Sequence, residues 1–466
     1  MTPKLQKTIQ NSVSISGVGI HTGVSTNMTL VPAEANTGIR FIRTDLKENP
    51  VIKADIDNVF STDRSTGLKK ENAEINTVEH ILAAVVGAEI DNLIIEVDNI
   101  EIPILDGSAK DFAILIEKAG IRTLNVKKQF FEIKRKISYT DKETGTTLIA
   151  TPYDEYQIDV EIDYNSETLG VQNASLDSIT DFNTEISASR TFCFLHELEV
   201  LLDSNLIKGG DVNNAIIVVE NEIPKEKLAK LGMAFNRTEI TVNKKGYLNN
   251  LTLRHQNEPA RHKLLDVIGD LALVGKSIKG KITATKPGHK NNTNFAKKLK
   301  QIMIEDMNKT APEINFDEAP MYNKEKIKTI LPHREPFLFL DEIREIQKES
   351  IVGVKYVTAD EDYFKGHFPG EPVMPGVLQL ETMAQAGGVL ILSTVENPED
   401  YLTFFMKIDN AKFKKKVVPG DIMIFRLNLI SPIRRGLCHM HGKGFVDGKI
   451  VVEGDLLAQI SPKNKI

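Results

Sequence analysis

Three side chains suited to metal chemistry lie four residues apart in the stretch RHKLLDVIGDL, at His262, Asp266 and Asp270. If the stretch is helical, each step of four turns only about 40° around the axis, so the three share one narrow face. A histidine and an aspartate at this spacing can hold one metal ion, with the second aspartate as an outer partner. A solvated polar face is the common alternative, so the metal hypothesis requires a third ligand elsewhere.

Two further histidines are candidate partners of this helix. His80 follows Glu79 in the helical stretch TVEHILAA, and His289 lies in TKPGHKNN, which we interpret as a loop after a strand. A catalytic zinc takes three nitrogen or oxygen ligands and leaves one position open for water. The predicted ligands are His80, His262 and Asp266. Glu79 is the predicted general base and His289 the general acid, oriented by Asp270. Iron is the alternative metal, because this donor set suits both.

Composition indicates the class of protein in which such a site would operate. A chain of 466 residues is too long for one ordinary core. Its net charge of −6 argues against non-specific binding to nucleic acid. Only Cys193 and Cys438 are cysteines, which excludes a disulfide scaffold and fits a reducing compartment. No stretch resembles a signal peptide or a transmembrane segment, so we expect a cytoplasmic enzyme.

The pattern of predicted elements divides the chain into four parts. Both parts of the first half mix strands with a helix, and a helix–glycine–strand pattern recurs in them, which favours an internal duplication. A polar stretch with Pro312 and Pro320 is typical of a linker. The predicted parts are two α+β units, this linker and a C-terminal domain: 1–125, 126–304, 305–323 and 324–466.

The C-terminal part contains a second set of residues suited to acid–base chemistry. An almost wholly apolar helix is predicted over 377–395, followed by several strands, which suggests a sheet wrapped around a buried helix. His367 lies in the turn GHFPG, and Glu381 lies inside the apolar helix, where burial should raise the pKa of its carboxyl group. We interpret the two as an acid–base pair. The alternative is a structural ion pair between Glu381 and a lysine or arginine.

Several separated motifs of the first 303 residues resemble those of one enzyme family. TVEHILAA, EIPILDGSA, SRTFCF, EPARHKLLDVIGDL and KPGHKNN are similar to motifs of the zinc-dependent UDP-3-O-acyl-N-acetylglucosamine deacetylases of lipid A synthesis. The resemblance implies two facing α+β layers with zinc between them, and the ligand, base and acid roles given above. It also implies that Thr191 stabilises the oxyanion and that Lys263 and Phe192 contact the UDP-sugar lipid substrate. Residues 192–219 resemble a β-α-β insert for the acyl chain, and 220–249 is interpreted as a surface excursion.

Residues from about 324 to 464 resemble a second family. LPHREPFLFLD, GHFPGEPVMPG and LETMAQA are similar to motifs of the β-hydroxyacyl-acyl-carrier-protein dehydratases, which have a hotdog fold. The resemblance implies that His367 removes the C2 proton of a 3-hydroxyacyl thioester and that Glu381 helps to expel the hydroxyl group as water. It implies that this pair comes from opposite subunits of a dimer. Backbone N–H groups of Gly376 and Val377, at the helix start, would hold the thioester carbonyl.

The complete chain is therefore predicted to be a fused deacetylase–dehydratase of the α+β class, ending in a hotdog domain. The basic segment 411–421, with Arg434 and Arg435, is the predicted docking surface for acyl carrier protein. We expect a homo-oligomer, either a dimer or a hexamer, formed through the hotdog domain. Two alternatives stay open for the C-terminal half: a hotdog thioesterase or isomerase, and a scaffold that serves only oligomerisation.

Overall fold

The computed structural model describes residues 4–198, 214–224, 228, 231–232, 241–242 and 246–463. The chain divides into two compact units, Met1–Gln301 and Ile302–Ile466. Both units combine helices with sheets, which confirms the predicted α+β class. Among the described residues, no helix is long and apolar enough to cross a membrane.

Strands and helices alternate along the first unit. Its described strands are β1 Leu5–Ile9, β2 Val13–Val18, β3 Ser25–Pro32, β4 Ile39–Arg43, β5 Val51–Lys53, β6 Val59–Ser61, β7 Gly67–Lys70, β8 Ala73–Ile75, β9 Leu93–Val97, β10 Ile121–Lys127, β11 Phe130–Glu132, β12 Ile137–Asp141, β13 Thr146–Thr151, β14 Tyr156–Ile162, β15 Gln172–Leu176, β16 Phe192–Phe194, β17 Ile216–Val219, β18 Gly246–Tyr247 and β19 Ser277–Thr285. Its helices, the last of which extends beyond residue 301, are α1 Glu79–Gly87, α2 Lys110–Ala119, α3 Phe182–Glu185, α4 Glu258–Ala272 and α5 His289–Met307.

Two sheets of the first unit have the same strand order. One runs β2-β3-β9-β4-β5 and the other β12-β13-β19-β14-β15. In each, the central strand (β9 or β19) pairs in parallel with the next strand along the path (β4 or β14), and the other pairs of the path are antiparallel. Helix α1 precedes β9 as α4 precedes β19. This repeated topology supports the predicted duplication.

Helices α1 and α4 pack against each other at a glycine. Both helices are almost wholly buried. A Cβ atom on Gly269 would lie 2.1 Å from the backbone oxygen of Glu79, so a residue with a side chain would force the helices apart. Helix α4 also contacts β14 and β15. This close approach brings the first turn of α1 to the middle of α4, where the candidate metal ligands of both helices lie.

The predicted insert over 192–219 contains two described strands. Strand β16 pairs in parallel with β17, and β18 pairs with β17 on its other side. The connection from β16 to β17 includes residues 199–213, which lie outside the described residues. Several stretches of the predicted excursion over 220–249 also lie outside them.

The second unit wraps one sheet around one helix. Its elements are α6 Lys324–Ile330, β20 Glu342–Ile346, β21 Ser350–Tyr356, α7 Gly376–Leu392, β22 Tyr401–Phe413, β23 Ile422–Leu429, β24 Leu437–Val446 and β25 Lys449–Pro462. The antiparallel sheet has the order β20-β21-β23-β24-β25-β22. Helix α7 packs against β21, β22, β23, β24 and β25, and apolar side chains such as Met383 and Val389 are fully buried in the core. This arrangement confirms the predicted hotdog fold.

Part of the stretch predicted as a linker packs against this sheet. Nη1 of Arg344, on β20, donates a hydrogen bond of 2.7 Å to the carbonyl oxygen of Glu318. The backbone groups of Tyr322 and Ile343 bond to each other over 3.1 and 2.9 Å. Residues between Glu318 and Tyr322 are thus anchored to the second unit.

Candidate active sites

Three buried side chains of the first unit form a group that fits a metal ion. His262 and Asp266 lie one turn apart on α4, and His80 lies in the first turn of α1. The Nε2 atoms of His262 and His80 lie 3.4 and 3.8 Å from Oδ1 of Asp266. The three candidate ligand atoms all lie within 4.8 Å of one another. Tetrahedral ligands at about 2.1 Å from one ion are about 3.4 Å apart, so a small adjustment would close the group around a metal. We call these residues the ligand trio.

Hydrogen bonds direct the trio toward a common point. Nδ1 of His262 lies 3.1 Å from the carbonyl oxygen of Ser189, so an N–H at this position leaves Nε2 free as a ligand. Nζ of Lys263 donates to Oδ2 of Asp266 over 2.9 Å. The other oxygen, Oδ1, is buried and has no hydrogen-bond partner within the described ranges. A buried carboxylate oxygen without a donor is unfavourable, and a bound cation would compensate for it.

The protonation states of the trio also suit a cation. Burial, with the nearby His262, lowers the pKa of His80 to about 3, and burial lowers the pKa of His262 as well. Burial alone would raise the pKa of Asp266, but the neighbouring His262 and Lys263 hold it well below its ordinary value. Neutral imidazoles and an ionised carboxylate are the forms that bind metals.

Glu79 and His289 lie beside the trio and supply a base and an acid. The N–H of Thr66 donates to Oε2 of Glu79 over 3.0 Å, and burial raises the pKa of Glu79 to about 7. Nδ1 of His289 lies 3.0 Å from Oδ2 of Asp270. Burial alone would lower the pKa of His289, but the carboxylates of Asp270 and Asp266 raise it to about 9. One group can therefore accept a proton near neutral pH while the other can donate one.

Two residues without a predicted role complete the surroundings of Asp270. Oγ1 of Thr66 donates to Oδ1 of Asp270 over 2.5 Å, and Nδ2 of Asn292 donates to Oδ2 over 2.9 Å. The interpretation of His289 as a loop residue is wrong, because it is the first residue of α5. With that helix known, the spacing of three residues between His289 and Asn292 indicates a shared face. Thr66 lies in a stretch with no such signal.

The motif SRTFCF is fixed to the start of α4 by a buried ion pair. Nε and Nη2 of Arg190 donate to the two carboxylate oxygens of Glu258 over 2.8 and 3.0 Å. The Phe192 ring lies with its centroid 6.4 Å from that of His262, and Nζ of Lys263 lies 5.5 Å from the Phe192 centroid. The two predicted substrate contacts therefore lie together beside the trio.

Thr191 lies between Arg190 and Phe192. Its backbone N–H donates to the carbonyl oxygen of Gly107 over 2.7 Å. Gly107 has a φ of +81°, and a Cβ there would lie 1.8 Å from the backbone oxygen of Asn214, so the turn in LDGS requires glycine. No hydrogen bond among the described residues joins the Thr191 hydroxyl to the trio.

In the second unit, His367 is oriented by its own turn. Its Nδ1 lies 2.8 Å from the carbonyl oxygen of Val373, and the N–H of Val373 donates back to the carbonyl oxygen of His367 over 2.9 Å. An N–H at Nδ1 leaves the lone pair on Nε2, which can accept a proton.

Glu381 has polar partners that the sequence pattern does not reveal. Nε2 of Gln385 donates to its Oε1 over 3.0 Å, and Nε2 of His333 lies 3.4 Å from the same oxygen. Burial alone would raise the pKa of Glu381, but His333 and Gln385 lower it. The predicted upward shift of this pKa is therefore wrong, and the basic side chain beside the carboxylate is a histidine rather than a lysine or arginine.

Glu381 and His333 line a cavity of about 190 Å³ between α7 and the sheet. The rest of its lining is mostly apolar, and His367 is not among the described residues that line it. At the start of α7, a Cβ on Gly376 would lie 2.8 Å from the Phe413 ring, and the side chain of Val377 is 68% exposed. One chain thus holds Glu381 and His367 in separate surroundings.

Strand β22 lies at the edge of the second unit's sheet and has β25 as its neighbour. Large apolar side chains are exposed along it: Phe404, Phe405, Met406, Ile408 and Phe413. An exposed apolar edge strand readily pairs with another chain.

Comparison with known proteins places both units in known families. Residues 6–231 and 223–301 match the family model described as UDP-3-O-acyl N-acetylglycosamine deacetylase, and residues 331–455 match the FabA-like domain. The chain therefore belongs to this deacetylase family and adds a FabA-like domain to it.

Full-length relatives combine the same two parts. The chain is 46% identical over 461 residues to the bifunctional enzyme LpxC/FabZ of Bacteroides thetaiotaomicron, with 99% of each chain covered. It is 44% identical to that of Porphyromonas gingivalis, with 98% of each chain covered. It is 40% identical to that of Chlorobaculum tepidum, with 98% of this chain and 99% of the other covered. The chain belongs to this family of bifunctional enzymes, which confirms the predicted fusion.

Proposed function

We propose that the chain carries out two reactions on 3-hydroxyacyl chains. The first unit hydrolyses the N-acetyl group of UDP-3-O-(3-hydroxyacyl)-N-acetylglucosamine in lipid A synthesis. The second unit dehydrates (3R)-3-hydroxyacyl-acyl-carrier protein to the trans-2-enoyl product. Full-length similarity to relatives named for both parts supports this pair of reactions. For the first reaction, the proposal rests on one observation, which is the buried ligand trio beside Glu79 and His289.

We assign zinc as the metal of the first unit. His80, His262 and Asp266 would hold it, because Oδ1 of Asp266 has no other partner in the described part of the chain and both Nε2 atoms lie near it. Two imidazoles and a carboxylate are a frequent donor set of catalytic zinc. A metal held there supplies Lewis-acid polarisation of the amide carbonyl and activation of the attacking water.

The other residues move protons and stabilise charge. Glu79, with a pKa of about 7, takes the proton from the attacking water. Attack on the amide carbon places negative charge on the carbonyl oxygen, to which the Thr191 hydroxyl donates. His289 gives its proton to the departing amine, and Asp270 keeps this imidazole charged by accepting its Nδ1–H. Lys263 provides a cation for the substrate.

Phe192 provides an apolar surface for the same substrate. Its ring lies beside both His262 and the Lys263 ammonium group, so an apolar part of the substrate bound against it would lie near the ligand trio.

For dehydration, His367 removes the C2 proton and Glu381 handles the departing hydroxyl group. The N–H groups of Gly376 and Val377, which have no intrahelical partner because they lie in the first turn of α7, hold the thioester oxygen as charge develops on it. We propose that the two catalytic residues of one site come from different subunits. The separation of His367 from the cavity of Glu381 supports this, as does the exposed apolar edge of β22.

We propose acyl carrier protein as the partner of the second unit, and a cytoplasmic location for the enzyme. The exposed lysines of 411–416, with the exposed Arg434 and Arg435, give a basic surface that suits an acidic carrier. A dimer or a hexamer is the expected oligomer.

A two-substrate assay on the purified full chain tests this function. We expect acetate release from the sugar nucleotide and an enoyl thioester from the 3-hydroxyacyl carrier. A free acid in place of the enoyl product would indicate a thioesterase, and a displaced double bond an isomerase. Acetate release without any thioester product would indicate that the second unit is a scaffold.

A further inference from the structure

Glu381 shares its cavity with a histidine to which the proposed reaction gives no role. Nε2 of His333 lies 3.4 Å from Oε1 of Glu381, and both side chains line the same cavity. His333 precedes the strands of the sheet, whereas Glu381 lies on α7, so the contact depends on tertiary packing.

A hydrogen-bond network anchors the two elements to each other. Oε1 of Gln385 accepts the N–H groups of Phe339 and Leu340 over 2.9 and 3.2 Å. Nε2 of Gln385 donates to the carbonyl oxygen of Phe337 over 2.8 Å as well as to Glu381. The segment that carries His333 is therefore held at a fixed distance from α7.

The ring of His333 has one described polar partner. Its Nδ1 is buried without a hydrogen-bond partner among the described residues, and its Nε2 faces Glu381. The other titratable group lining the cavity is Cys438 on β24, and burial raises the pKa of that thiol to about 12, so it stays neutral. The remaining lining from α7 and from β22, β23 and β25 carries no ionisable side chain in the described structure.

We propose that His333 is a positioning residue of the dehydration: its Nε2 holds Oε1 of Glu381 in the cavity, and the two side chains share the proton that leaves with the substrate hydroxyl. This inference rests on the proposed dehydration. The C2–H bond breaks and its proton goes to His367, while the C2 electron pair forms the double bond. The C3–O bond breaks, and the oxygen leaves as water with a proton passed through Glu381. His333 returns a proton to Glu381, and solvent water restores both imidazoles.

The pH dependence of kcat distinguishes this role from a purely structural one. A proton shared with an imidazole leaves the couple at a higher pH than a proton held by a carboxyl group alone, because an imidazolium is a weaker acid than a carboxylic acid. In His333→Gln, the amide can still donate to Glu381 but cannot supply a proton. The alkaline limb of kcat should therefore move to lower pH.

The experiment measures dehydratase kcat and KM of the full chain between about pH 5 and about pH 9. For His333→Gln we expect kcat at pH 8 to fall by about 10²-fold, with KM nearly unchanged and a much smaller loss near pH 5. His441→Gln is the matched control, since His441 also lies beside a carboxylate (Asp455, at 2.6 Å) but does not line the cavity. It should leave the profile unchanged.

The outcomes separate this inference from the proposed function. A uniform loss at every pH, with an intact oligomer by gel filtration, would overturn the shared proton and leave His333 a structural residue. An unchanged profile would also overturn it. Glu381→Gln, measured in parallel, tests the dehydration itself: if that variant is active, the proposed site is wrong, whatever His333 does. If His333→Gln does not fold, His333→Asn gives the same test with a shorter amide.

Discussion

The two units differ in how much of their chemistry one chain contains. In the deacetylase unit, the ligand trio, the base and the acid all meet around α1 and α4, and the trio is at most 4% exposed. In the dehydratase unit, one chain places Glu381 in a cavity and His367 outside its lining. A polar cluster buried between layers can be completed by an ion, whereas a single sheet around a helix leaves an edge that another chain can complete.

In each unit, a group in an energetically unfavourable environment indicates a missing binding partner. Oδ1 of Asp266 is buried without a donor in the described structure, which a cation would satisfy. Strand β22 exposes apolar side chains at a sheet edge, which a second copy would cover. The comparison therefore predicts that metal loss affects only the first unit and that subunit exchange affects only the second.

Metal removal should give the largest effect. Treatment with a strong chelator, or Asp266→Ala, should abolish deacetylation, because an acetamide is a poor electrophile and water a poor nucleophile near neutral pH. Dehydration should persist, because the thioester already acidifies the C2 proton. Metal content by mass spectrometry and both activities on one preparation check this. Dehydration that stops with an intact oligomer would contradict the independence of the two sites, and full metal content in Asp266→Ala would contradict the ligand assignment.

Loss of the base should separate catalysis from metal binding. Glu79→Gln keeps a neutral side chain of the same shape next to the trio but cannot accept the proton of water. We expect metal content to be retained and deacetylase kcat to fall by about 10²- to 10⁴-fold. The test is the ratio of activity to bound metal. Near-normal turnover in this variant would remove Glu79 from the mechanism.

Complementation should show whether a dehydratase site is shared between chains. His367→Ala and Glu381→Gln should each lose about 10²-fold or more in dehydration. When the two variants are co-expressed, random pairing gives mixed dimers with one intact site, so about a quarter of parental activity should return. Deacetylation should be unaffected throughout. If the co-expressed variants recover no activity, both residues of a site belong to one chain and the contrast between the units disappears.

A smaller effect should come from removing a hydrogen bond to Asp270, the carboxylate that orients the general acid His289 in the deacetylase unit. Thr66→Val removes the hydroxyl that donates to Oδ1 of Asp270, so the carboxylate that orients His289 loses a donor. We expect deacetylase kcat to fall by about 10- to 100-fold with metal retained. Thr8→Val is the matched control, because this buried hydroxyl accepts a hydrogen bond from the N–H of Ala33, directly after β3 and away from the candidate site. Equal losses in the two variants would indicate general destabilisation instead.

The spacing on α4 predicts two members of the trio, His262 and Asp266, because a helix places residues four apart on one face. The third member, His80, lies on α1, and its place beside them depends on the packing of the two helices. The predicted helix over 377–395 and the strands after 400 also agree closely with α7 and β22 to β25, since long periodic segments carry a strong signal. Strands β20 and β21 were not predicted, and β20 is short and rich in charge. The roles of the individual site residues stay predictions that the experiments above address.

Other errors have one physical origin, which is contact between distant parts of the chain. The pKa of Glu381 depends on His333, and the surroundings of Asp270 depend on Thr66, and neither pairing follows from local pattern. The prediction of a loop at His289 fails because a helix begins directly after the turn-forming residues KPG. Local propensity predicts elements well and the partners of buried charges poorly.

The smallest predicted effect concerns the stretch before α6. Arg344 bonds to the carbonyl oxygen of Glu318, lies 5.1 Å from the Phe316 ring centroid, and pairs with Glu342. Its side chain is 9% exposed, so these contacts are poorly screened by water. Arg344→Ala should therefore destabilise the dehydratase unit by about 1–2 kcal/mol.

Calorimetry of the full chain should show this as a lower Tm for one transition, with the deacetylase transition and its metal content unchanged. Lys348→Ala, at an exposed position on the same hairpin, should shift neither transition. If Arg344→Ala lowers the Tm of both transitions equally, the two units unfold as one cooperative body. The difference between the units would then be confined to their active sites and would not apply to their stability.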